Sequence, residues 1–372
     1  MKTFDINLIP AGHFFSKPVY IDDEFVLVSQ EMEFTVELKK ILIEWRFDSV
    51  KSNGEPQEMY REDDSDSKNR EKLFRNDSVK LAEAKMYYLN FRQFARDVFV
   101  RAANKNNINY DTIGEKMREV CDKVKTDRRF LLQVQKDIRA DNDEDFLAVH
   151  AVKSTIVSIV IGIYLKLPAH RLIELGVAAL LHEIGMVKLP SRITQSKTEL
   201  SSKDRATLML HPSIGFEMLK SFGFSMAVCA AALEHHEREN GSGYPHKLTG
   251  DKTGLYGKIV AVACSYEAIT SKRPHKDARG GYEGVTDLLR NKGNCYDDAI
   301  VRALVFSLSI YPIGEPVMLS NGVKGTVVDI NPSDPRYPVV QLLDENRSDG
   351  QVRIIETRSS GIHITGPLTD NI

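Results

Sequence analysis

Apolar residues recur every three or four positions through most of the chain, from about residue 77 to about residue 311. This spacing places apolar side chains on one face of a helix, so the region is predicted to be helical nearly throughout. The stretch 142–165 is crowded with β-branched residues on more than one face, which predicts a central, buried helix. Further helices are expected at 87–102, 168–183, 226–233 and 258–270, with Gly185 as the stop signal of the second of these.

Both ends of the chain show shorter, strand-like runs. Runs at 19–21 and 25–28, followed by helical spacing at 33–45, predict a small α/β module over residues 1–60. Four runs after residue 312, separated by Asn-Gly, Asn-Pro and Asp-Gly turn signals, predict a β appendage over 312–372. The expected fold class is therefore mainly α, an all-helical core with a small α/β module before it and a small β appendage after it.

The region between the first module and the core divides by composition. Residues 61–76 are polar and are predicted to be a linker. Residues 77–139 are predicted to be a helical linker or dimerisation region, because Tyr87, Phe91, Phe94, Val98 and Ala102 form an apolar stripe. This stripe could pair with the same helix of a second chain in a homodimer, or it could belong to the core.

Composition and charge exclude several classes. A net charge of −2 gives no general reason to bind a nucleic-acid polymer. The four cysteines are far apart and form no Cys-x-x-Cys pair, which argues against a disulfide framework or a zinc ribbon. The first residues do not have the pattern of a signal peptide, and the apolar run 156–167 is shorter than the roughly 20 residues that span a bilayer. We expect a cytoplasmic protein without a membrane partner.

The histidines of the helical region lie beside apolar segments or at helix ends. Histidine is the commonest metal ligand in proteins, and the convergence of histidines and a carboxylate from several helices predicts a buried metal site. The alternative is a set of satisfied core histidines and solvated helix ends. Adjacent helical residues point about 100° apart, so His235 and His236 are expected to serve two ions, or one ion and a substrate. The candidates are His150, His182, Glu183, His211, His235 and His236.

These residues and their surroundings resemble the HD-GYP family, a branch of the HD phosphohydrolases whose known members hydrolyse cyclic dinucleotides, chiefly cyclic di-GMP. The resemblance covers residues 140–311, in family order and at family-like spacing. It implies an all-helical HD-GYP domain and a metal-dependent phosphodiesterase that forms linear pGpG, GMP or both. The matching elements are His150, Leu181-His182-Glu183-Ile184-Gly185, His211-Pro212 with Gly215, His235-His236-Glu237 with Gly241-Ser242-Gly243-Tyr244-Pro245, and Ser271-Lys272-Arg273-Pro274.

By motif position, the resemblance implies a centre of two divalent ions, iron or manganese, with zinc as the alternative. His150 and His182 would hold one ion, Glu183 would bridge both, and His182 and Glu183 would be the catalytic pair. The remaining metal ligands would be His211, His235 and His236. The substrate-binding residues would be Arg273, Lys276, Tyr244 and Pro245. The implied partners are cyclic di-GMP and other signalling proteins such as diguanylate cyclases.

Several family positions carry a different residue here. Loss of one well-placed electrostatic donor costs on the order of 10²–10³ in rate, so these departures bear on turnover. A thiolate can bind a metal, which keeps Cys264 as a candidate ligand, the alternative being a small core residue. The sequence leaves open whether Lys188 reaches the site. The departures are Glu183 for the namesake aspartate, Met186 for a lysine, Cys264 for a late aspartate, and Phe146 for the acid that would hold a third ion.

Three functions follow from this pattern. The first is a cyclic di-GMP phosphodiesterase with reduced activity. The second is a degenerate member that acts as a cyclic-dinucleotide receptor or signalling scaffold without efficient turnover. The third, a hydrolase of another phosphate ester, is less favoured because the loop from Gly241 to Pro245 is intact.

Overall fold

The computed structural model describes residues 1–10, 13–21, 26–28, 34–44, 47–57, 77–104, 108–138, 146–196, 198–271, 278–346, 352–357 and 361–368. The chain divides into two compact units, Met1–Arg70 and Glu71–Ile372. The mainly α fold class is confirmed, since small sheets stand before and after a helical core. The linker predicted at 61–76 lies outside the described residues, and the predicted boundaries at 139/140 and 311/312 stay predictions.

The first unit is a small antiparallel sheet with a helix. Four of its strands pair in the order β1-β5-β3-β4, and β2 pairs separately with β6. Its core contains Phe15, Phe34, Leu42 and Val50, all buried. The mixed α and β content expected from the sequence is confirmed. The elements are β1 (Lys2–Asp5), β2 (Phe14–Phe15), β3 (Val19–Tyr20), β4 (Val26–Val28), α1 (Val36–Glu44), β5 (Ser49–Ser52) and β6 (Pro56–Gln57).

The second unit begins with the helical core, whose buried side chains form one continuous hydrophobic cluster. A 3₁₀ segment, Ile184–Lys188, interrupts the run of α-helices. The helices are α2 (Asp77–Ala103), α3 (Tyr110–Asp137), α4 (Phe146–Tyr164), α5 (Ala169–Leu181), α6 (Ser191–Thr194), α7 (Ser202–Leu208), α8 (His211–Ser221), α9 (Met226–Glu234), α10 (Leu255–Thr270), α11 (Gly281–Arg290) and α12 (Asp298–Leu308).

The apolar stripe of α2 belongs to the chain's own core. Phe91, Val98 and Ala102 are buried, and Tyr87 and Phe94 pack against the same cluster. Helix α2 packs on α3 and α4 of the same chain, which cover this face. A homodimer would therefore need a different surface, and dimerisation stays a prediction.

Helix α4 is the central helix, as its β-branched residues predicted. Its side chains from Ala148 to Gly162 are buried, because α2, α3, α5, α10 and α12 all pack against it. The helix begins at Phe146, so it is longer than the apolar run 156–167 that the sequence singled out. By length and composition its 19 residues could cross a membrane, but 83% of its most apolar window is buried inside the chain.

Helix α5 ends two residues earlier than predicted, at Leu181, and Gly185 is not its stop signal. Gly185 lies inside the following 3₁₀ segment, where the chain presses against the start of α8. A Cβ atom on Gly185 would lie 2.0 Å from the carbonyl oxygen of His211 and 2.7 Å from the backbone nitrogen of Gly215. Glycine is required here by this close backbone approach, which also holds His182 and Glu183 opposite His211.

Alanine at Gly185 is expected to lower the free energy of unfolding by about 1–3 kcal/mol, the usual cost of forcing extra volume into a packed interior. Gly114 is the matched control, because its Cβ position in α3 has only ordinary contact, 3.6 Å from the ring of Tyr110. Alanine there should be neutral or stabilise the helix by up to about 1 kcal/mol. Urea unfolding of both variants tests this, and equal stability would contradict the close approach.

The second unit ends in a five-stranded antiparallel sheet of order β10-β9-β8-β7-β11. Its core contains Val317, Val327, Val340 and Ile355. The four predicted runs are confirmed as strands, and the last strand was not predicted. The strands are β7 (Pro316–Leu319), β8 (Lys324–Asp329), β9 (Val339–Asn346), β10 (Val352–Glu356) and β11 (Ile364–Pro367).

Candidate metal centre

The candidate residues converge where the ends of α5 and α9, the start of α8 and the first turns of α4 meet. Two groups form, and in each group the ligand atoms lie within 4.8 Å of one another. Both groups contain Glu183, which joins them into one centre. The first group is His150, His182 and Glu183, and the second is Glu183, His211, His235 and His236.

In the first group, two imidazoles face each other through nitrogens that carry lone pairs. His182 donates its Nδ1–H to the carbonyl oxygen of Ala179 at 2.7 Å, and His150 donates its Nδ1–H to the carboxylate of Glu267. In the neutral rings neither Nε2 then carries a proton, yet the two Nε2 atoms are 3.2 Å apart. Two lone pairs repel at this distance unless a cation lies between them. Two ligand atoms that are each about 2.1 Å from one ion stand roughly 3–3.4 Å apart, so the distance between the two Nε2 atoms fits a shared metal ion.

The second group repeats this arrangement. His211 donates its Nδ1–H to the carbonyl oxygen of Leu208, and His235 donates its Nδ1–H to that of Ala232. Their Nε2 atoms are 3.3 Å apart. The same distance argument makes this pair fit one edge of a metal coordination shell.

Glu183 lies between the two pairs. Its Oε2 is 3.1 Å from Nε2 of His211, and its Oε1 is 3.9 Å from Nε2 of His150 and 4.0 Å from Nε2 of His235. Burial alone would raise the pKa of Glu183, but the positive charge that the surrounding imidazoles carry when protonated outweighs burial and lowers the pKa to about 2. Glu183 is thus an anion at neutral pH that can face both positions.

Burial favours the neutral form, which binds metals, in three of these histidines. Burial lowers the pKa of His182 to about 4, and it lowers the pKa values of His235 and His236 well below the ordinary value. A neutral imidazole keeps the lone pair that a metal ion needs. Several neutral imidazoles and one carboxylate offer nitrogen and oxygen donors, a set that suits iron, manganese and zinc.

His235 and His236 join the same group, which differs from the expectation that they would serve separate ligands. The expectation assumed a regular helix, but α9 ends at Glu234 and His235 is its C-cap. The chain turns there, and the two ring centroids come within 4.1 Å of each other.

The loop after the two histidines folds back over them. The ring of Tyr244 stacks on His236 with centroids 4.5 Å apart and planes 19° apart, and burial raises the pKa of Tyr244. The buried carboxylate of Glu237 shapes the loop by accepting hydrogen bonds from the backbone nitrogens of His246 and Leu248 at 2.7 and 2.9 Å. Gly243 is required, because a Cβ atom there would lie 2.4 Å from Cα of Glu237. Pro245 follows Tyr244 in this loop.

Comparison with known proteins agrees with this geometry. A family described as HD domain matches residues 133–300. The cyclic di-GMP phosphodiesterase PA4108 of Pseudomonas aeruginosa is 31% identical over 212 residues, which cover 57% of this chain and 51% of that protein. Residues 133–300 thus match a domain of the HD type.

Other relatives extend the same picture. The cyclic di-GMP phosphodiesterase PdeB of Borreliella burgdorferi is 25% identical over 198 residues, 53% of this chain and 52% of that protein. The response regulator RpfG of Xanthomonas campestris, also named a cyclic di-GMP phosphodiesterase, is 35% identical over 137 residues, 36% of each chain. The chain thus spans about half, or less, of the length of the curated relatives it matches.

A solved structure shares the fold. Bd1817, an HDG"Y"P protein from Bdellovibrio bacteriovorus, superimposes with a TM-score of 0.50 at 16% identity. The match covers 82% of this chain and 97% of that one. At this identity the likeness concerns the fold alone.

The departures from the HD-GYP pattern have structural consequences. Cys264 is buried and lies outside both metal-ligand groups of the described residues, and its thiol donates to the carbonyl oxygen of Ala261 at 3.5 Å. Lys188 does not take the place of the lysine missing at Met186. Its Nζ donates to the carbonyl oxygens of Ala102 and Ala103 at the end of α2, at 3.1 and 2.9 Å.

Three further positions of the HD-GYP pattern are Phe146, Arg273 and Lys276. The ring of Phe146 stacks on His150, 6.1 Å between centroids and 8° between planes, where an acid would sit in members with a third ion. Arg273 and Lys276, the predicted phosphate contacts of the HD-GYP motif, lie outside the described residues.

Sequence reasoning missed one carboxylate of the HD-GYP centre, Glu267. It is 1% exposed and lies on α10, three residues after Cys264. The signal was present, because an acid inside an otherwise apolar helix is almost never buried without a partner. Its partner is His150, as described above.

Proposed function

We propose that this protein is a metal-dependent phosphodiesterase that hydrolyses cyclic di-GMP to the linear dinucleotide, the mononucleotide or both. The observation that carries the proposal is the pair of facing Nε2 lone pairs on each side of Glu183, 3.2 and 3.3 Å apart. The names of the relatives support the substrate. We also propose a cytoplasmic location and exchange of signals with proteins such as diguanylate cyclases, as the resemblance to the HD-GYP family implies.

His150, His182 and Glu183 are the proposed ligands of one divalent ion, and the second group supplies the ligands of the other. Iron or manganese is the proposed metal, with zinc as the alternative, and nitrogen and oxygen donors suit all three. When bound, two such ions would stabilise charge on a phosphate oxygen and make a nearby water more acidic. Cys264 is the less favoured ligand, since its thiol lies outside both groups.

The chain's own residues would then position the substrate. His182 and Glu183 are the proposed catalytic residues, because Glu183 is shared by both groups and the ring of His182 lies 4.9 Å from that of His235 in the second group. Tyr244 and Pro245 are the proposed substrate contacts, because they lie in the loop that follows His236 and the ring of Tyr244 stacks on this histidine. Arg273 and Lys276 are proposed to bind phosphate oxygens, for which a guanidinium fork and an ammonium are suited.

A cyclic-dinucleotide receptor without efficient turnover is the second candidate. Two observations favour it: Lys188 is engaged at the end of α2, and Cys264 is no substitute for a carboxylate in either group. Neither residue then supplies the charge stabilisation that a fast enzyme would use.

The deciding experiment combines metal analysis with product analysis. The full chain is purified without oxygen, its metal content is measured, and it is incubated with cyclic di-GMP before chromatography. About two metals per chain with linear product would support the enzyme. Metal with tight nucleotide binding and no product would support the receptor. A chain that neither holds metal nor converts the nucleotide would refute the proposed function.

A further inference from the structure

His150 is oriented differently from His182, His211 and His235. His182, His211 and His235 each donate Nδ1–H to a backbone carbonyl three residues earlier, at or next to a helix end. His150 lies inside α4, where the carbonyl groups are engaged in the helical hydrogen-bond ladder. Its Nδ1–H therefore needs a partner from another helix, and Glu267 of α10 supplies it.

The partner of His150 is charged, whereas the other partners are neutral. Glu267 is 1% exposed and sits among apolar residues of α10. Tyr88 of α2, which is fully buried, lies close by: burial raises its pKa, and the carboxylate of Glu267 raises it further. In such an interior, water screens the carboxylate poorly, so its charge acts strongly on the imidazole it contacts.

The charge of Glu267 matters because the centre is poor in anions. Glu183 is the single carboxylate of the two ligand groups found among the described residues, and two divalent ions would bring four positive charges. A carboxylate behind a ligating histidine fixes the ring and increases the basicity of the nitrogen that faces the metal. The structure places such a carboxylate on one side of the centre, behind His150.

We propose that Glu267 is a positioning residue that holds Nε2 of His150 toward His182 and Glu183. It thereby makes the metal position at His150 and His182 bind its ion more tightly than the position at His211 and His235. This inference rests on the proposed function insofar as both positions bind metal. It assigns an unequal affinity to the two positions, which the ligand groups alone do not imply.

The test is calorimetric titration of the metal-free full chain with Mn²⁺. The wild-type chain should show two binding events of different affinity. Glu267→Gln keeps an acceptor for the Nδ1–H but removes the charge, and it should weaken the tighter event about 10–100-fold. Glu267→Asp keeps the charge one methylene further back and should recover part of the loss.

Glu315→Gln is the matched control. Glu315 is also buried, but it serves the nitrogen of Gly281 and the ammonium of Lys136, at 3.0 and 2.9 Å. Its replacement should leave both Mn²⁺ events unchanged. Thermal unfolding of the metal-free variants identifies any that fail to fold, and the aspartate variant then carries the test.

A double change separates positioning from a general structural effect. His150→Ala should abolish the tighter event, and adding Glu267→Gln to it should change nothing further. If Glu267→Gln binds Mn²⁺ as the wild type does, or weakens the remaining event in the His150→Ala background, the inference is overturned while the proposed function stands. If the wild-type chain binds no Mn²⁺, iron or zinc, both are overturned.

Discussion

Replacing Glu183 with glutamine is expected to reduce the metal content from about two ions per chain to at most about one and to lower turnover of cyclic di-GMP by at least about 10²–10³-fold. Glu183 is the one residue common to both ligand groups, and its two oxygens face histidines of both. Glutamine of the same size keeps one oxygen but presents an amide N–H₂ to the other side and carries no charge. Elemental analysis and product chromatography measure both effects.

Two further variants bracket this result. Glu183→Asp restores the residue that the HD-GYP pattern carries, and it should retain metal, since a shorter carboxylate can still bridge. Glu217→Gln removes a carboxylate from the exposed face of α8 and should leave metal and turnover unchanged. Full metal content and normal turnover in Glu183→Gln would contradict the shared role of Glu183.

The double variant Met186→Lys and Cys264→Asp is expected to raise turnover of the metal-loaded chain by about 10–10²-fold. One well-placed electrostatic donor is worth on the order of 10²–10³ in rate. We expect a smaller gain here, because the surrounding residues do not hold the two new side chains in an optimal position. Lys188 does not supply the missing charge, because its ammonium is held at the end of α2. Cys264 lies near Tyr244, so an aspartate there would stand beside the centre.

The same double variant should be less stable than the wild type when metal is removed. A buried carboxylate without a partner is costly, and bound metal would offset that cost. The neutral double variant Met186→Gln and Cys264→Asn is the control. Its side chains are close in size to the lysine and aspartate but carry no charge, so turnover should not increase. If the charged variant holds metal and is no faster than the wild type, the departures at these positions do not limit turnover.

The sequence by itself predicted most of the elements and the residues of the candidate metal centre. Helical spacing predicted α2, α4, α9 and α10, and turn signals predicted four of the five C-terminal strands, because these patterns depend on neighbours along the chain. The residue types and their spacing along the chain likewise predicted the histidines and Glu183 as ligands, since both are visible in the sequence alone. The structure brings these residues into two groups that share Glu183.

Tertiary structure alone decided how these residues meet. Gly185 reads as a helix stop, yet it is required by a backbone contact with residue His211, 26 positions away in sequence. His235 and His236 reach one group only because α9 ends before them. Glu267 contacts His150 across 117 residues, and Lys188 binds α2 instead of the centre. Such contacts join segments distant in sequence, so no local pattern encodes them, and packing determines which side chain reaches the metal centre.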